Sequence, residues 1–172
     1  MSNFFKLKLS PFWIGAISEK GKLVRMSICY TRKDLYSSLT AARNGERESS
    51  SFLKRLKQDL LRYWQREKVD FTIYPLKLDG YTLFQRKVWE LTQEIPYGEV
   101  RSYKWIAKRL GSKGYRAVGQ ALAHNPFPLI VPCHRVIRED KSLGGFSAGL
   151  DIKRKLLRKE RISLIFQESL SV

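Results

Sequence analysis

The chain is poor in the residues that build covalent or metal-bound scaffolds. It carries two cysteines, Cys29 and Cys133, and two histidines, His124 and His134, among 172 residues. A disulfide framework needs more cysteines at closer spacing. A structural zinc site needs about four clustered ligands and a catalytic one about three, so no metal is expected. Acid is scarce too, with 16 Asp and Glu against 33 Lys and Arg. No uninterrupted apolar run approaches the roughly 18 residues of a membrane helix. The opening "MSNFFKLKLSPFWIGA" has no basic stretch ahead of a long apolar segment, so no signal peptide is expected. These absences point to an intracellular protein without membrane contact, cytoplasmic or, in a eukaryote, nuclear. Internal repeats and low-complexity segments are also missing.

What is present is a core and a strong charge. Hydrophobic residues make up 43% and aromatics 12%, enough for one ordinary domain or two small ones sharing a surface. The net charge of +17 implies a polyanionic partner, nucleic acid being the commonest. Local distribution sharpens this. Between Val100 and Arg138 there are eight basic residues (Arg101, Lys104, Lys108, Arg109, Lys113, Arg116, Arg135, Arg138) and no acid. A solvated helix face normally mixes both signs, so phosphates are expected beside this stretch.

The pattern divides the chain into residues 1–79, a small β-sheet and helix unit, and residues 80–172, a mainly helical unit; the fold class is α/β in the α+β sense. "FFKLKL", "FWIGAIS" and "LVRMSICY" read as strands, with "EKGK" as a turn. Residues 41–51 read as a polar loop. "SFLKRLKQDLLRYWQRE" has one apolar helical face, with Ser51 as its N-cap. "FTIYPLKLDG" reads as an extended connection. "YTLFQRKVWELTQEI" places Phe84, Val88, Leu91 and Ile95 on one helical face. Ser102 caps a short helix over 103–110, and after "GSKG" the segment "YRAVGQALA" forms another. Two short helices joined by a Gly-containing turn in a basic context form a helix-turn-helix pattern. Asp151 can cap "IKRKLLRKERI", whose Ile152, Leu156 and Leu157 face inward.

The chemistry is concentrated in "FPLIVPCHRVIRED". A cysteine after "LIVP" is most often a small buried hydrophobe. It can instead be a nucleophile if a base or positive field favours its thiolate. His134 is adjacent, and a histidine base needs an acidic partner to hold its tautomer. Glu139, Asp140, Asp151, Glu160 and Glu168 are the candidates, and Glu160 lies on the inner side of a helix. Asn125, in "NPFP", can tie down backbone with its amide, and "GGFSAG" lets backbone approach a ligand closely.

Together "PYGEVRSY", "RAVGQALAHNPFPLIVPCHRVI" and "GGFSAGLDIKRKLLRKE" resemble the C-terminal domain of the O6-alkylguanine-DNA alkyltransferases, the methylated-DNA–protein-cysteine methyltransferases. The resemblance runs in order from about Pro96 to Glu160 and more weakly back to Tyr81. It implies stoichiometric, irreversible transfer of an alkyl group from O6-alkylguanine in duplex DNA to Cys133, after nucleotide flipping and without a cofactor. His134 would act as base through a water, Glu160 would hold His134, and Asn125 would brace the turn. Tyr103 would hydrogen-bond the departing guanine. Arg116 would fill the gap in the base stack, and Ser147 with Gly144 and Gly145 would recognise the extruded base. The second short helix would enter the minor groove, with Ser102, Tyr103, Arg116, Ala117, Gly119, Gln120 and Arg135 as DNA contacts. A monomer in solution is implied.

Each role has a plainer counterpart: Tyr103 as a core aromatic, Arg116 as a phosphate contact, Ser147 as an ordinary loop residue, Glu160 as an i,i+4 partner, and the small residues of "RAVGQALA" as helix-packing positions. Ala148 stands where the family more often has glycine, so its methyl is expected at the pocket rim. His124 is assigned no role, and Cys29 is expected to pack in the core. No zinc ligands precede the domain, so the methyl-phosphotriester sensor of some relatives is not expected. A non-catalytic alkylated-DNA-binding relative that recruits other repair machinery is the alternative, but those relatives lack the cysteine of "PCHRV". A general basic helix-turn-helix protein with an inert cysteine is the third reading.

Overall fold

The computed structural model describes residues 2–39, 50–112 and 114–162. Residues 41–49 of the loop expected over 41–51, Lys113 of the "GSKG" turn and the candidate acid Glu168 lie outside the described residues, and Ser51 belongs to the helix that follows.

Three strands form one antiparallel sheet in the order β1 (Ser2–Leu9), β2 (Phe12–Glu19), β3 (Lys22–Cys29), the central β2 being buried on both faces. Lys20 and Gly21, both at positive φ, make the tight turn between β2 and β3. One sheet face buries Phe4 and Ile17 against α1 (Arg32–Ser38), a helix not anticipated from the pattern. Cys29 lies beside this cluster, half-buried, within reach of Ser27 Oγ at 3.4 Å. The other face, with Phe12, Ile14 and Met26, packs against α2 (Ser51–Trp64). Ser50, not Ser51, caps α2, because its hydroxyl is the one that accepts the Leu53 amide.

The connection over 71–80 is less extended than expected. It turns at Thr72 and Ile73 and touches β3 through a single bridge, Leu23 to Leu76. Gly80, at φ 85°, leads into α3 (Leu83–Gln93), closed at its start by a reciprocal Thr82–Gln85 capping box. The buried stripe of α3 is Val88, Trp89 and Thr92, with Phe84 and Leu91 only partly covered. Trp89 Nε1 donates to the Ala121 carbonyl at 2.9 Å and so ties α3 to α5.

Strand β4 (Arg101–Ser102) runs straight into α4 (Tyr103–Arg109), which Ser102 caps by accepting the Trp105 amide. Helix α5 (Tyr115–Ala123) follows, and the two form the expected helix-turn-helix. Strand β4 pairs in parallel with β5 (Val136–Ile137), Arg101 opposite Val136 and Ser102 opposite Ile137. This pairing sets the start of α4 beside the turn that holds Cys133. The last helix, α6 (Leu150–Lys159), starts after Gly149 at φ 100° and has no side-chain cap. Asp151 is therefore not the cap. It lies in the first turn, where its charge favours the helix dipole. One hydrophobic cluster runs through both halves of the chain, joining Phe5 and Leu56 to Trp89, Val118 and Leu156. No described helix is long and apolar enough to cross a membrane.

Candidate active site

Cys133 opens a single 3₁₀ turn, Cys133–Arg135, which "VPC" enters from a proline-stiffened segment. The turn is braced by Asn125. Its Oδ1 accepts the Phe127 amide at 2.9 Å, and its Nδ2 donates to the Val131 carbonyl at 3.0 Å and to Cys133 Sγ at 3.2 Å. Cys133 is only 5% exposed, and that exposure opens into a cleft of about 1320 Å³. The cleft lies between the helix-turn-helix and the loop after β5, with Tyr103, Arg116, Gly119, Gln120, Gly144 and Ser147 among its walls.

Behind the cysteine is a buried ionic cluster. His134 Nε2 donates to Glu160 Oε1 at 2.7 Å, both side chains fully buried. A carboxylate can only accept, so Nε2 carries the proton and Nδ1 is the basic nitrogen of the neutral ring. Nδ1 has no hydrogen-bond partner among the described protein groups. Burial holds His134 below its usual pKa, opposed by the Glu160 charge. Burial would raise Glu160, but His134 and Arg135 outweigh it and keep the carboxyl below the ordinary range. Burial likewise pushes the Cys133 thiol up, while the Asn125 hydrogen bond and the charge of Lys153 pull it down.

Tyr103 stands on the far side of the cysteine, at the first position of α4. Its hydroxyl donates to the Gly145 carbonyl at 3.3 Å, and burial raises its pKa, so it remains a protonated donor. Gly144, at φ 65°, is where the loop touches this ring: a Cβ there would lie 2.7 Å from Tyr103 Cε2. The exposed face of α5 carries Tyr115, Arg116, Ala117 and Gln120, while Val118, Ala121 and Leu122 face the core.

The structure thus gathers Cys133, His134, Glu160, Asn125 and Tyr103 into one site, with Arg116, Gly119, Gln120, Gly144, Gly145 and Ser147 along its cleft. Ser102 is a helix cap. Arg135 departs from expectation. It is buried, donating through Nε and Nη2 to Glu160 at 2.9 and 3.0 Å and through Nη1 to the Ile95 carbonyl at 2.8 Å. Its guanidinium is committed to neutralising a buried carboxylate and is not presented to DNA. Ala148 packs against the core rather than lining the cleft. The basic stretch is also less free of acid than its own sequence implies. Arg101, Lys104 and Arg109 pair with Glu99, Glu139 and Glu94.

Lys153 is the residue that the sequence pattern concealed. Within "IKRKLLRK" it reads as surface charge, yet it is fully buried. Its ammonium donates to the carbonyls of Val136 at 2.6 Å, Gly145 at 3.1 Å and Leu143. Burial lowers its pKa to about 8, opposed by its proximity to Cys133. Its adjacency to Ile152 on the inward face was the available signal. Among the described residues no group of His, Cys, Asp and Glu could hold a metal ion.

A helix-turn-helix sharing one cleft with a buried, braced thiol places the chain among the alkyltransferase folds. The O6-methylguanine-DNA methyltransferase of Pyrococcus kodakaraensis KOD1 superposes with a TM-score of 0.76 at 27% identity, covering 93% of this chain and 99% of that one. Mycobacterium tuberculosis OGT, solved in complex with DNA, gives 0.76 at 32% identity and covers 92% of each chain. The family model for the 6-O-methylguanine DNA methyltransferase DNA binding domain matches residues 83–162. The constitutive methylated-DNA–protein-cysteine methyltransferase of Bacillus subtilis is 40% identical over 147 residues, 84% of this chain and 87% of that protein. The enzyme of Methanocaldococcus jannaschii is 34% identical over 166 residues, 92% of this chain and 94% of that one. The chain belongs to the methylated-DNA–protein-cysteine methyltransferase family.

Proposed function

We propose that the protein repairs DNA directly, moving the alkyl group of O6-alkylguanine irreversibly onto Cys133. The observation that carries this reading is the placement of Cys133. Its thiol lines the cleft bounded by α5, while the next residue of the same turn, His134, is buried on Glu160. A base inside a duplex cannot bring its O6 substituent to a buried sulfur, so the nucleotide must leave the stack, at a cost of roughly a few kcal/mol. Arg116, exposed on α5, fills the gap in this reading, its planar guanidinium replacing lost stacking. Small Ala117 and Gly119 allow the helix to approach the sugars of the minor groove, whose degenerate readout suits a search in any sequence.

In the resting site Cys133 is a thiol. The Nδ1 of His134 takes its proton through a bridging water, and Glu160 stabilises the resulting imidazolium. The thiolate sulfur attacks the alkyl carbon. The S–C bond forms as the C–O6 bond breaks, and the bonding pair leaves with O6. Tyr103 hydrogen-bonds the purine as this negative charge develops, which lowers the barrier. Ser147 and the Gly144–Gly145 backbone receive the extruded base. Lys153 adds positive charge near the sulfur. A thioether has no route back to the thiol, so each monomer acts once and no cofactor takes part. In this reading residues 80–172 bind DNA and transfer the alkyl group, while residues 1–79 support them. The protein works inside the cell.

A lesion-binding protein without chemistry needs no thiol braced by an asparagine amide against a buried base. Incubation with a duplex containing one O6-methylguanine, followed by intact-protein mass, tests the proposal. One added methyl per protein, located on Cys133 and absent from Cys133→Ala, is expected. Lesion binding with no mass gain would overturn it.

A further inference from the structure

The carboxylate of Glu160 receives more donors than its own turn supplies. Oε1 accepts from His134 Nε2 at 2.7 Å, Tyr63 Oη at 2.8 Å and Arg135 Nη2 at 3.0 Å. Oε2 accepts from Arg135 Nε at 2.9 Å and the Gly98 amide at 3.2 Å. A carboxylate oxygen offers about two lone pairs, so three donors share the capacity of Oε1. Two of them belong to the turn that carries Cys133. The third comes from α2, in the N-terminal part of the chain, 97 residues away in sequence.

Tyr63 is built to stay there. It is 1% exposed, and its ring is held edge-on by Phe71 and Tyr97, with centroids 5.8 and 6.0 Å away. A second link joins the same two regions: the Met26 amide of β3 donates to the Pro126 carbonyl at 2.8 Å, next to the bracing Asn125.

We infer that Tyr63 is a positioning residue for alkyl transfer, contributed by the N-terminal elements, whose hydroxyl competes with His134 for Glu160 Oε1 and so limits the basicity of His134. This rests on His134 serving as the base for Cys133. Removing the hydroxyl leaves more of the Oε1 charge to His134. The imidazolium is then better stabilised, and the thiolate–imidazolium pair forms at lower pH. The other groups facing this set are Arg135 on the same turn, Tyr97 after α3, Tyr103 on α4, Arg138 after β5 and Lys153 on α6. None of them is altered by the change.

Tyr63→Phe keeps the ring contacts and leaves Glu160 with its remaining donors, so no buried group is orphaned. The test is the pH dependence of Cys133 alkylation by iodoacetamide without DNA, followed on the Cys133 peptide so that Cys29 does not contribute. The same protein is assayed for single-turnover methyl transfer from O6-methylguanine duplex. The midpoint of the iodoacetamide profile is expected to move down by about half a pH unit with the melting temperature nearly unchanged. The shift should vanish in a Glu160→Gln background. An unchanged or raised midpoint in Tyr63→Phe overturns the inference and leaves Tyr63 as a core residue. Tyr63→Leu, which also removes the ring contacts, reports that purely structural loss as a drop in melting temperature. If the midpoint falls as expected while wild-type protein takes no methyl from DNA, the coupling stands and the repair reading fails.

Discussion

At the scale of single residues, the site depends on close fits that leave little tolerance. Gly144 is the tightest. Its backbone is left-handed at φ 65°, and an added Cβ would meet Tyr103 Cε2 and Oη at 2.7 and 2.8 Å. Gly144→Ala therefore carries about 1–2 kcal/mol of backbone strain and displaces the tyrosine ring as well. If Tyr103 stabilises charge on the departing purine, single-turnover methyl transfer should slow on the order of 10²-fold, with circular dichroism unchanged. A rate near wild type would remove Tyr103 from the mechanism. Lys153 teaches a related point about charge. A buried ammonium is tolerable only because three carbonyls meet it. Those carbonyls come from β5 and the glycine loop, so its own helix does not reveal what meets the ammonium there.

At the scale of elements, α5 separates two explanations for its small residues. Gly119 sits in mid-helix, and a Cβ there would lie 3.9 Å from the Tyr103 ring, in ordinary contact. Intramolecular fit therefore does not require glycine. Replacing it with alanine should stabilise the fold by about 0.5–1 kcal/mol through helix propensity. If this face approaches DNA closely, Gly119→Ala will raise the melting temperature while weakening binding to duplex in a titration. Unchanged affinity would mean that the small residues serve only the fold. The strand pair β4–β5 shows the opposite dependence. It is two residues long on each side, yet it joins the start of α4 to the strand that follows the Cys133 turn. No propensity argument identifies so short a strand, because its stability comes from the elements around it.

At the scale of the whole molecule, stability and charge are linked through the buried pair. Burial holds His134 below 6.5, so as pH falls through that value the unfolded chain gains a proton that the native site refuses. Glu160 is held below 4.5 by His134 and Arg135 against the effect of burial, so below that pH the unfolded carboxylate again binds a proton first. Both contributions have the same sign. The melting temperature should fall from pH 8 to pH 6 and more steeply below pH 5. A flat profile between pH 8 and pH 5 would show that His134 is not held neutral by its surroundings.

Much of this molecule was legible one residue at a time. The three strands, the amphipathic α2, the helix-turn-helix and the cysteine motif are local properties, since periodicity and turn chemistry act over a few neighbours. Periodicity also put Glu160 on the inner side of its helix and made it the preferred partner of His134 among five acids. What periodicity records is that a side chain faces inward, not what it meets there. The burial of Arg135 and Lys153, the supply of Tyr63 from a distant helix, and the pairing of half the basic stretch with acids were decided by chain segments far apart in sequence. Electrostatic and hydrogen-bond energies depend on distance in space and on exclusion of water, and only the tertiary structure determines either.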